Sequence, residues 1–274
     1  MIERDGGERG QGLSVPDPHE FFLGPQVVSM LTEEFKQAGN WLFRWRSYLP
    51  VLLLVLAVPA VSESAVRSGY HPFPTAWQVL ALALAFAGLA VRILTVAHVP
   101  AGTSGRNTLK QVANTLNVTG MYSVVRHPLY LGNFLIWFGI SLLARCWWFT
   151  LITVLIFWLY YERIMCAEEA FLLEHFGEEF RGWAARTPAF IPRIKNWVKP
   201  DLPFSWQSAI SREYPTFFTV IAIFTFIKVL QSWFARGSPA PDWGTGVLFV
   251  IGLAMYVTIR VVKKNTGLLR AAGR

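Results

Sequence analysis

Six apolar runs stand out along the chain, over residues 41–61, 77–99, 129–144, 147–161, 214–234 and 243–262. A helix needs about 20 apolar residues to cross ~30 Å of hydrocarbon, and most of these runs approach that length. The third and fourth are shorter, and only Arg145 and Cys146 separate them, which predicts a tight helical hairpin. Beyond the fourth run, Met165, Leu172, Phe176, Phe180 and Trp183 recur at helical spacing. That predicts a helix continuing out of the membrane with one face packed on protein or headgroups. Gly182 and Thr187-Pro188 break the pattern, and Ile191-Pro192 continues it as irregular chain. Trp77, Trp147, Trp148, Trp233 and Trp243 sit at run ends, where interfacial aromatics belong.

Composition agrees with the pattern. Of 274 residues 53% are apolar and only 15% charged, which excludes an ordinary soluble domain. The fold class predicted is all-α, a polytopic membrane helix bundle of about six transmembrane helices with a cytosolic pocket. The net charge of +8 resides in segments between the runs, so it sets topology rather than a nucleic-acid surface. One side holds only Arg67, Arg145 and Arg236; the other holds most of the remaining basic residues, Lys110, Arg126, Arg163 and Lys195 among them. The positive-inside rule puts both termini and the two long loops in the cytosol: the inner or plasma membrane in a bacterium, the endoplasmic reticulum in a eukaryote. Residues 1–20 lack an apolar signal region and read as a mobile polar tail. Cys146 and Cys166 flank the fourth run near opposite faces, so neither a disulfide framework nor a zinc or other metal site is expected. Four segments follow: a polar tail over 1–40, N-terminal spans over 41–99, a core over 100–199, and a helix pair over 200–274. Lys228, inside the fifth run, snorkels or faces the bundle interior.

Two polar clusters carry the candidate chemistry. Arg126-His127-Pro128-Leu129-Tyr130 opens the third run, and Glu168-Glu169 closes the helix of the fourth. Charges this close to hydrocarbon are costly and mark a working site by default. Pro128 suits the first turn of a helix, which leaves His127 at an N-terminus whose free N–H groups and dipole favour a carboxylate or phosphate. Gly132 leaves room for a flat ligand. Glu169 falls on the apolar stripe and therefore needs a partner: a cationic ligand, Arg126 or Arg163. The plain alternative is an interfacial anchor, with Arg126 snorkelling and the acids solvated or ion-paired. Taken together, a helix N-terminus, paired acids and the aromatic rings of Tyr122, Tyr130 and Tyr160 suit S-adenosylmethionine, with its carboxylate, ammonium, ribose and sulfonium. Another small dipolar ligand would suit them too.

Gly120-Met121-Tyr122 through Arg126-His127-Pro128-Leu129-Tyr130-Leu131-Gly132 resembles the signature of the isoprenylcysteine carboxyl methyltransferases and related phospholipid methyltransferases. In that family the signature is followed by Glu-Glu and by a Leu ahead of Phe-Gly-x-x-Tyr, here Glu168-Glu169, Leu173, Phe176-Gly177 and Phe180, with Phe in the Tyr position. The resemblance covers about residues 114–195. It implies an integral-membrane methyltransferase using S-adenosyl-L-methionine, held by Asn114, Thr115, Leu116, Asn117, Tyr122, His127, Pro128, Leu129, Tyr130 and Glu168. It also implies an acceptor-binding arginine upstream of the acid pair, for which Arg163 is the nearest candidate.

The reaction expected is in-line methyl transfer to an oxygen entering from the bilayer. A carboxylate or phosphate acceptor is already ionised, so catalysis is positioning and charge placement. Arg163 or Arg126 would hold that anion. A phospholipid amine acceptor would need a base, for which Glu169 or Glu162 is placed. A lipid phosphate, such as the 1-phosphate of lipid A that the resemblance suggests, ranks first, and a prenylcysteine carboxylate second. A small transporter or scaffold is the non-enzymatic alternative; it explains the spans but not the bracketing of one hairpin by the two clusters.

Overall fold

The computed structural model describes residues 25–46, 49–68, 76–100, 103, 113–271 and 273. Among these residues there is no strand. The helices, in order, are α1 (Pro25–Trp45), α2 (Leu53–Ser68), α3 (Ala76–Val96), α4 (Met121–Val124), α5 (Pro128–Leu143), α6 (Trp147–Phe176), α7 (Glu178–Ala184), α8 (Trp206–Arg236) and α9 (Trp243–Asn265). Helices α3, α6, α8 and α9 are long and apolar enough to cross a membrane, and α5 is a shorter apolar helix. The chain is a polytopic membrane helix bundle.

The N-terminal half departs from the run-by-run expectation. The first apolar run is not one span: α1 ends at Trp45, a 3-10 turn occupies Leu49–Leu52, and α2 starts at Leu53. Arg44, Arg46 and Ser47 are poor membrane residues. Helix α1 also begins at Pro25, inside the stretch expected to be a tail up to residue 40. Its sequence explains this, because Phe35, Gly39, Leu42 and Phe43 recur at three and four residues and turn inward against α6. The polar tail over 1–20 and the loop residues Arg106 and Lys110 lie outside the described residues.

The most extensive helix contact joins α3 to α5. It is a small-residue seam. A Cβ on Gly88 would meet the Gly132 carbonyl oxygen at 2.5 Å, and one on Gly139 would meet the Ala81 carbonyl oxygen at 2.5 Å. Close backbone approach of this kind is how helices associate where lipid offers no hydrophobic drive. Leu89, Ile136, Ile140, Leu143, Val220, Phe224 and Ile227 fill the main core between α3, α5 and α8. Phe43, Tyr130, Phe157, Tyr161, Ile164 and Met165 form a second core near the polar end.

The α5–α6 turn is tight, with Arg145 at φ 53, a left-handed conformation in a residue that is not glycine. At this end Trp77 Nε1 donates to the Leu142 carbonyl at 2.8 Å, and Trp148 Nε1 donates to Glu63 at 2.8 Å. Lys228 faces the bundle interior, 3.5 Å from Asp242 at the N-cap of α9. Helix α6, at 30 residues, rises about 45 Å and carries Glu168 and Glu169 beyond the apolar layer. Gly177, at φ 51, turns the chain into α7. The other end of the bundle, where α5 begins and α3 ends, holds the polar clusters.

Candidate ligand cavity at the start of helix α5

The segment before α5 is built by backbone pairing. Gly120 adopts φ 60, which permits the turn into α4. The chain after α7 then runs alongside it. Arg126 N–H donates to the Pro188 carbonyl at 2.9 Å, His127 N–H to that of Ala189 at 3.3 Å, Arg193 N–H to that of Val124 at 2.9 Å, and Gly120 N–H to that of Val198 at 2.9 Å. Trp183 Nε1 adds a bond to the Tyr122 carbonyl at 3.1 Å. This strap fixes the backbone around Arg126 and His127 without any strand being formed, since Pro188 and Pro192 interrupt the ladder donors.

The distant acids meet this segment. His127 lies at the N-cap of α5 with Pro128 in the first helical position. Its Nε2 is 2.8 Å from Glu169 Oε1 and its Nδ1 is 3.5 Å from Glu168 Oε2. Arg126 Nε stands 3.1 Å from the same Glu169 oxygen. Tyr130 donates its hydroxyl proton to Glu168 at 2.6 Å. Burial disfavours the imidazolium, but hydrogen bonds and charge from Glu168 and Glu169 outweigh it, and the His127 pKa is raised. Burial, and then the charge of Glu168, push the Tyr122 phenol well above its ordinary range, so it remains protonated.

A second polar constellation lies deeper. Arg92 of α3 makes a two-pronged bond to Glu213 of α8, Nε to Oε2 and Nη2 to Oε1, both at 2.8 Å. Arg92 Nη1 donates to Asn133 Oδ1 at 2.6 Å, and Asn133 Nδ2 donates to the Tyr161 hydroxyl at 3.1 Å. The Tyr161 and Tyr130 rings are 4.8 Å apart, so packed side chains connect Glu213 to Glu168.

Both constellations face one cavity of about 920 Å³. Its polar end is lined by Thr115, Asn117, Tyr122, Arg126, His127, Tyr130 and Glu168. Further along, Val96, Ile136, Trp137, Ile140, Thr219 and Ile223 make it apolar. From Pro128 to Ile140 the α5 wall extends about 18 Å along the helix axis. Among the described lining residues the cations are Arg46, Arg92, Arg126, Arg212 and Lys263, and the carboxylates are Glu168 and Glu213. The cavity therefore suits an amphipathic ligand with an anionic head, beside a smaller dipolar one at Glu168.

Of the residues singled out from sequence, Thr115, Leu116, Asn117, Tyr122, Arg126, His127, Pro128, Leu129, Tyr130 and Glu168 line the cavity. Asn114 is exposed and does not line it. Glu169 does not line it either; it sits behind, paired to Arg126 and His127 rather than Arg163. His127 was expected to receive a ligand carboxylate, but both its ring nitrogens already face protein carboxylates. Arg163 points elsewhere. Its Nη1 donates to the Leu159 carbonyl at 2.7 Å and its guanidinium lies 4.7 Å over the Phe35 ring. The unexpected helix α1 occupies the face of α6 on which Arg163 lies. Sequence reasoning passed over Arg92, Asn133, Glu213, Arg46 and Arg212. Arg92 did carry a signal, being a lone charge inside the second apolar run.

Residues 77–179 match the family model described as phospholipid methyltransferase. A cobalt-zinc-cadmium resistance protein of Cupriavidus metallidurans is 41% identical over 30% of this chain and 37% of its own length. A nickel-cobalt-cadmium resistance protein of Alcaligenes xylosoxydans xylosoxydans is 32% identical over 55% of this chain and 63% of its own. The protein-S-isoprenylcysteine O-methyltransferase of Schizosaccharomyces pombe is 31% identical over 41% of this chain and 49% of its own. The chain thus spans between about a third and two thirds of these relatives. No solved structure is a significant match. The matched stretch runs from the start of α3 to the first residues of α7 and holds Arg92, the Arg126–Tyr130 segment and the acid pair, so it is a cavity-lining part of this chain that is similar to the phospholipid methyltransferase family and to the isoprenylcysteine O-methyltransferase.

Proposed function

We propose that this chain is an integral-membrane methyltransferase that takes its methyl group from S-adenosylmethionine and delivers it to an anionic oxygen on a membrane lipid. The observation that carries the reading is the single cavity shared by Glu168 and an apolar slot along α5 and α8. The residues present fit the donor. Glu168 offers a carboxylate for an ammonium or ribose hydroxyls, and Tyr122 and Tyr130 offer ring faces for a sulfonium or adenine. Arg126, ion-paired to Glu169, lines the same end of the cavity and adds a positive charge there for a ligand carboxylate. When bound, the donor supplies an electrophilic methyl on sulfur.

The chain's own residues supply position and field. His127, clamped by both acids, locks the start of α5 to α6 and holds Glu168 toward the cavity. The apolar slot aligns an acyl or prenyl chain so that its head oxygen approaches the polar end. Because the acceptor oxygen would already be ionised, these residues would need to supply no general base, only position and field. The active site and both termini lie in the cytosol on this reading.

A prenylcysteine carboxylate is the second reading, favoured by the name of the fission-yeast relative. It has the same acceptor chemistry, an ionised oxygen on an apolar tail. A phospholipid amine would need a base, and Glu169 is already committed to Arg126 and His127. Two relatives are named for metal resistance; among the described residues no group of three or more His, Cys, Asp or Glu side chains could hold a metal ion.

The test is titration of the purified protein with S-adenosylmethionine, followed by incubation of membranes with methyl-labelled donor. Saturable binding, with label entering the lipid fraction, supports the first reading; label in protein supports the second. A silent titration sinks both and leaves a scaffold or transporter.

A further inference from the structure

The reach of Arg92 into the cavity has a stereochemical consequence. Its guanidinium carries five N–H hydrogens in a rigid plane. Three are engaged, two by Glu213 and one by Asn133. The remaining two, one on each terminal nitrogen, are left for an oxygen-bearing ligand such as a carboxylate or phosphate. The side chain lines the cavity, with 17% of its surface exposed, while Glu213 behind it is 4% exposed. An arginine held by two partners in a buried position loses little rotamer freedom when a third partner arrives.

The surroundings reinforce this. Gly132 has no side chain where one would collide with Arg92 Cγ at 2.5 Å, so the signature glycine clears the path of this arginine to Asn133. Val96 of α3, Ile136 and Ile140 of α5, and Thr216 and Ile223 of α8 line the same cavity and give it an apolar wall. Glu213 neutralises Arg92 itself. The cavity lining also carries Arg46, Arg126, Arg212 and Lys263 against Glu168 and Glu213, so cations outnumber carboxylates along its wall and the field there favours an anion.

We infer that Arg92 is the seat of the acceptor's oxyanion, with Glu213 and Asn133 as the residues that position it. The inference deepens the proposed function and rests on it for the acceptor's role in methyl transfer. It assigns to Arg92 the contact expected of Arg163 or Arg126. It also brings in Glu213, a residue of α8 beyond the family-matched stretch. Acceptor recognition is then shared between the family core and the C-terminal helix pair.

The experiment uses the full chain in nanodiscs of zwitterionic lipid and three probes of equal tail length: dodecyl phosphate, dodecanoate and dodecanol. Calorimetric titration should show both anions binding at least tenfold more tightly than the alcohol. Arg92→Gln should erase that preference while leaving S-adenosylmethionine affinity within about twofold. Arg92→Lys, which keeps the charge but not the planar fork, should lose most of the preference for dodecanoate. Glu213→Gln should weaken the anions and raise the acceptor KM more than it lowers kcat. If Arg92→Lys and Glu213→Gln shift only the melting temperature and leave the anion preference intact, the pair is a structural tie and the inference is wrong. The wild-type chain preferring no anion overturns it as well. The probes carry no methyl donor, so an intact anion preference beside a silent S-adenosylmethionine titration would fail the methyltransferase reading and leave the oxyanion seat standing.

Discussion

Gly132 passes beneath Arg92 so closely that a Cβ on the glycine would lie 2.5 Å from Arg92 Cγ and 2.8 Å from the Gly88 carbonyl oxygen. The first of these neighbours is a side chain held by Glu213 and Asn133; the second is backbone of the facing helix. Neither can yield cheaply. Gly132→Ala should therefore cost about 1–3 kcal/mol by overpacking, or displace Arg92. Thermal unfolding in detergent, together with anion binding, separates the outcomes. Unchanged stability and unchanged anion affinity would remove the seam from the argument.

Glu168 accepts from Tyr130 and faces the cavity, and Glu168→Gln retains an oxygen to accept that bond while deleting the charge. If Glu168 holds the donor's ammonium or ribose as proposed, loss of that charge-assisted contact is worth about 1.5–3 kcal/mol, so donor affinity should fall roughly ten- to a hundredfold. Glu169→Gln, which alters a residue behind the cavity wall, should chiefly destabilise the fold by loosening Arg126 and His127. Equal effects of the two variants on donor affinity would refute this division of labour.

Much of the pairing around this cavity is legible in the sequence. Arg126, His127, Tyr130 and Glu168 could be paired across the α5–α6 hairpin because charge is rare near hydrocarbon and the spacing put both clusters at one end. Glu169 was correctly judged to need a partner, and Arg126 was among those considered. Which partner it takes was not legible, because helix rotation decides it and the pattern of apolar residues on α6 fixes rotation only coarsely. Arg163 shows the limit most clearly. Its sequence position suits an acceptor contact, yet α1 packs against that helix, and most of α1 lies in the stretch up to residue 40 that reads as a polar tail. Glu213 was beyond reach for another reason: only tertiary packing brings α8 against α3.

Arg163 stands as a negative prediction. It is bound to a carbonyl of its own helix and lies over Phe35. Arg163→Ala should leave donor and acceptor affinities within about twofold and cost at most about 1 kcal/mol, the scale of an exposed cation–π contact. Loss of acceptor binding in this variant would restore the assignment made from sequence.

The raised His127 pKa sets a pH dependence. The groups facing the ring are Glu168 and Glu169 of α6, with Arg126 preceding it in the chain. A histidine whose folded pKa lies above its unfolded value, about 6.5, contributes its full stability below that value. The contribution declines as pH rises from there through the folded pKa, and is then lost. Unfolding midpoints of the wild type should thus fall as pH climbs above about 6.5, whereas His127→Gln should be less stable at low pH and show a flatter profile. A wild-type profile that rises across the same window would mean that the imidazole is neutral when folded.

Topology supplies the last prediction. Pro239 lies in the α8–α9 connection, at the same end of the bundle as Arg145, and Lys195 lies in the strap beside the cavity. The two positions are exposed and separated by the length of α8, so a membrane-impermeant thiol reagent should reach them from opposite sides. With Cys146 and Cys166 replaced by serine, Pro239→Cys should label in intact cells. Lys195→Cys should label only after the membrane is opened, as the placement of Lys195, Lys199, Arg186 and Arg193 in the cytosol requires. The reverse pattern would put the cavity, and any reaction in it, on the side where the cell does not keep a cytosolic methyl donor.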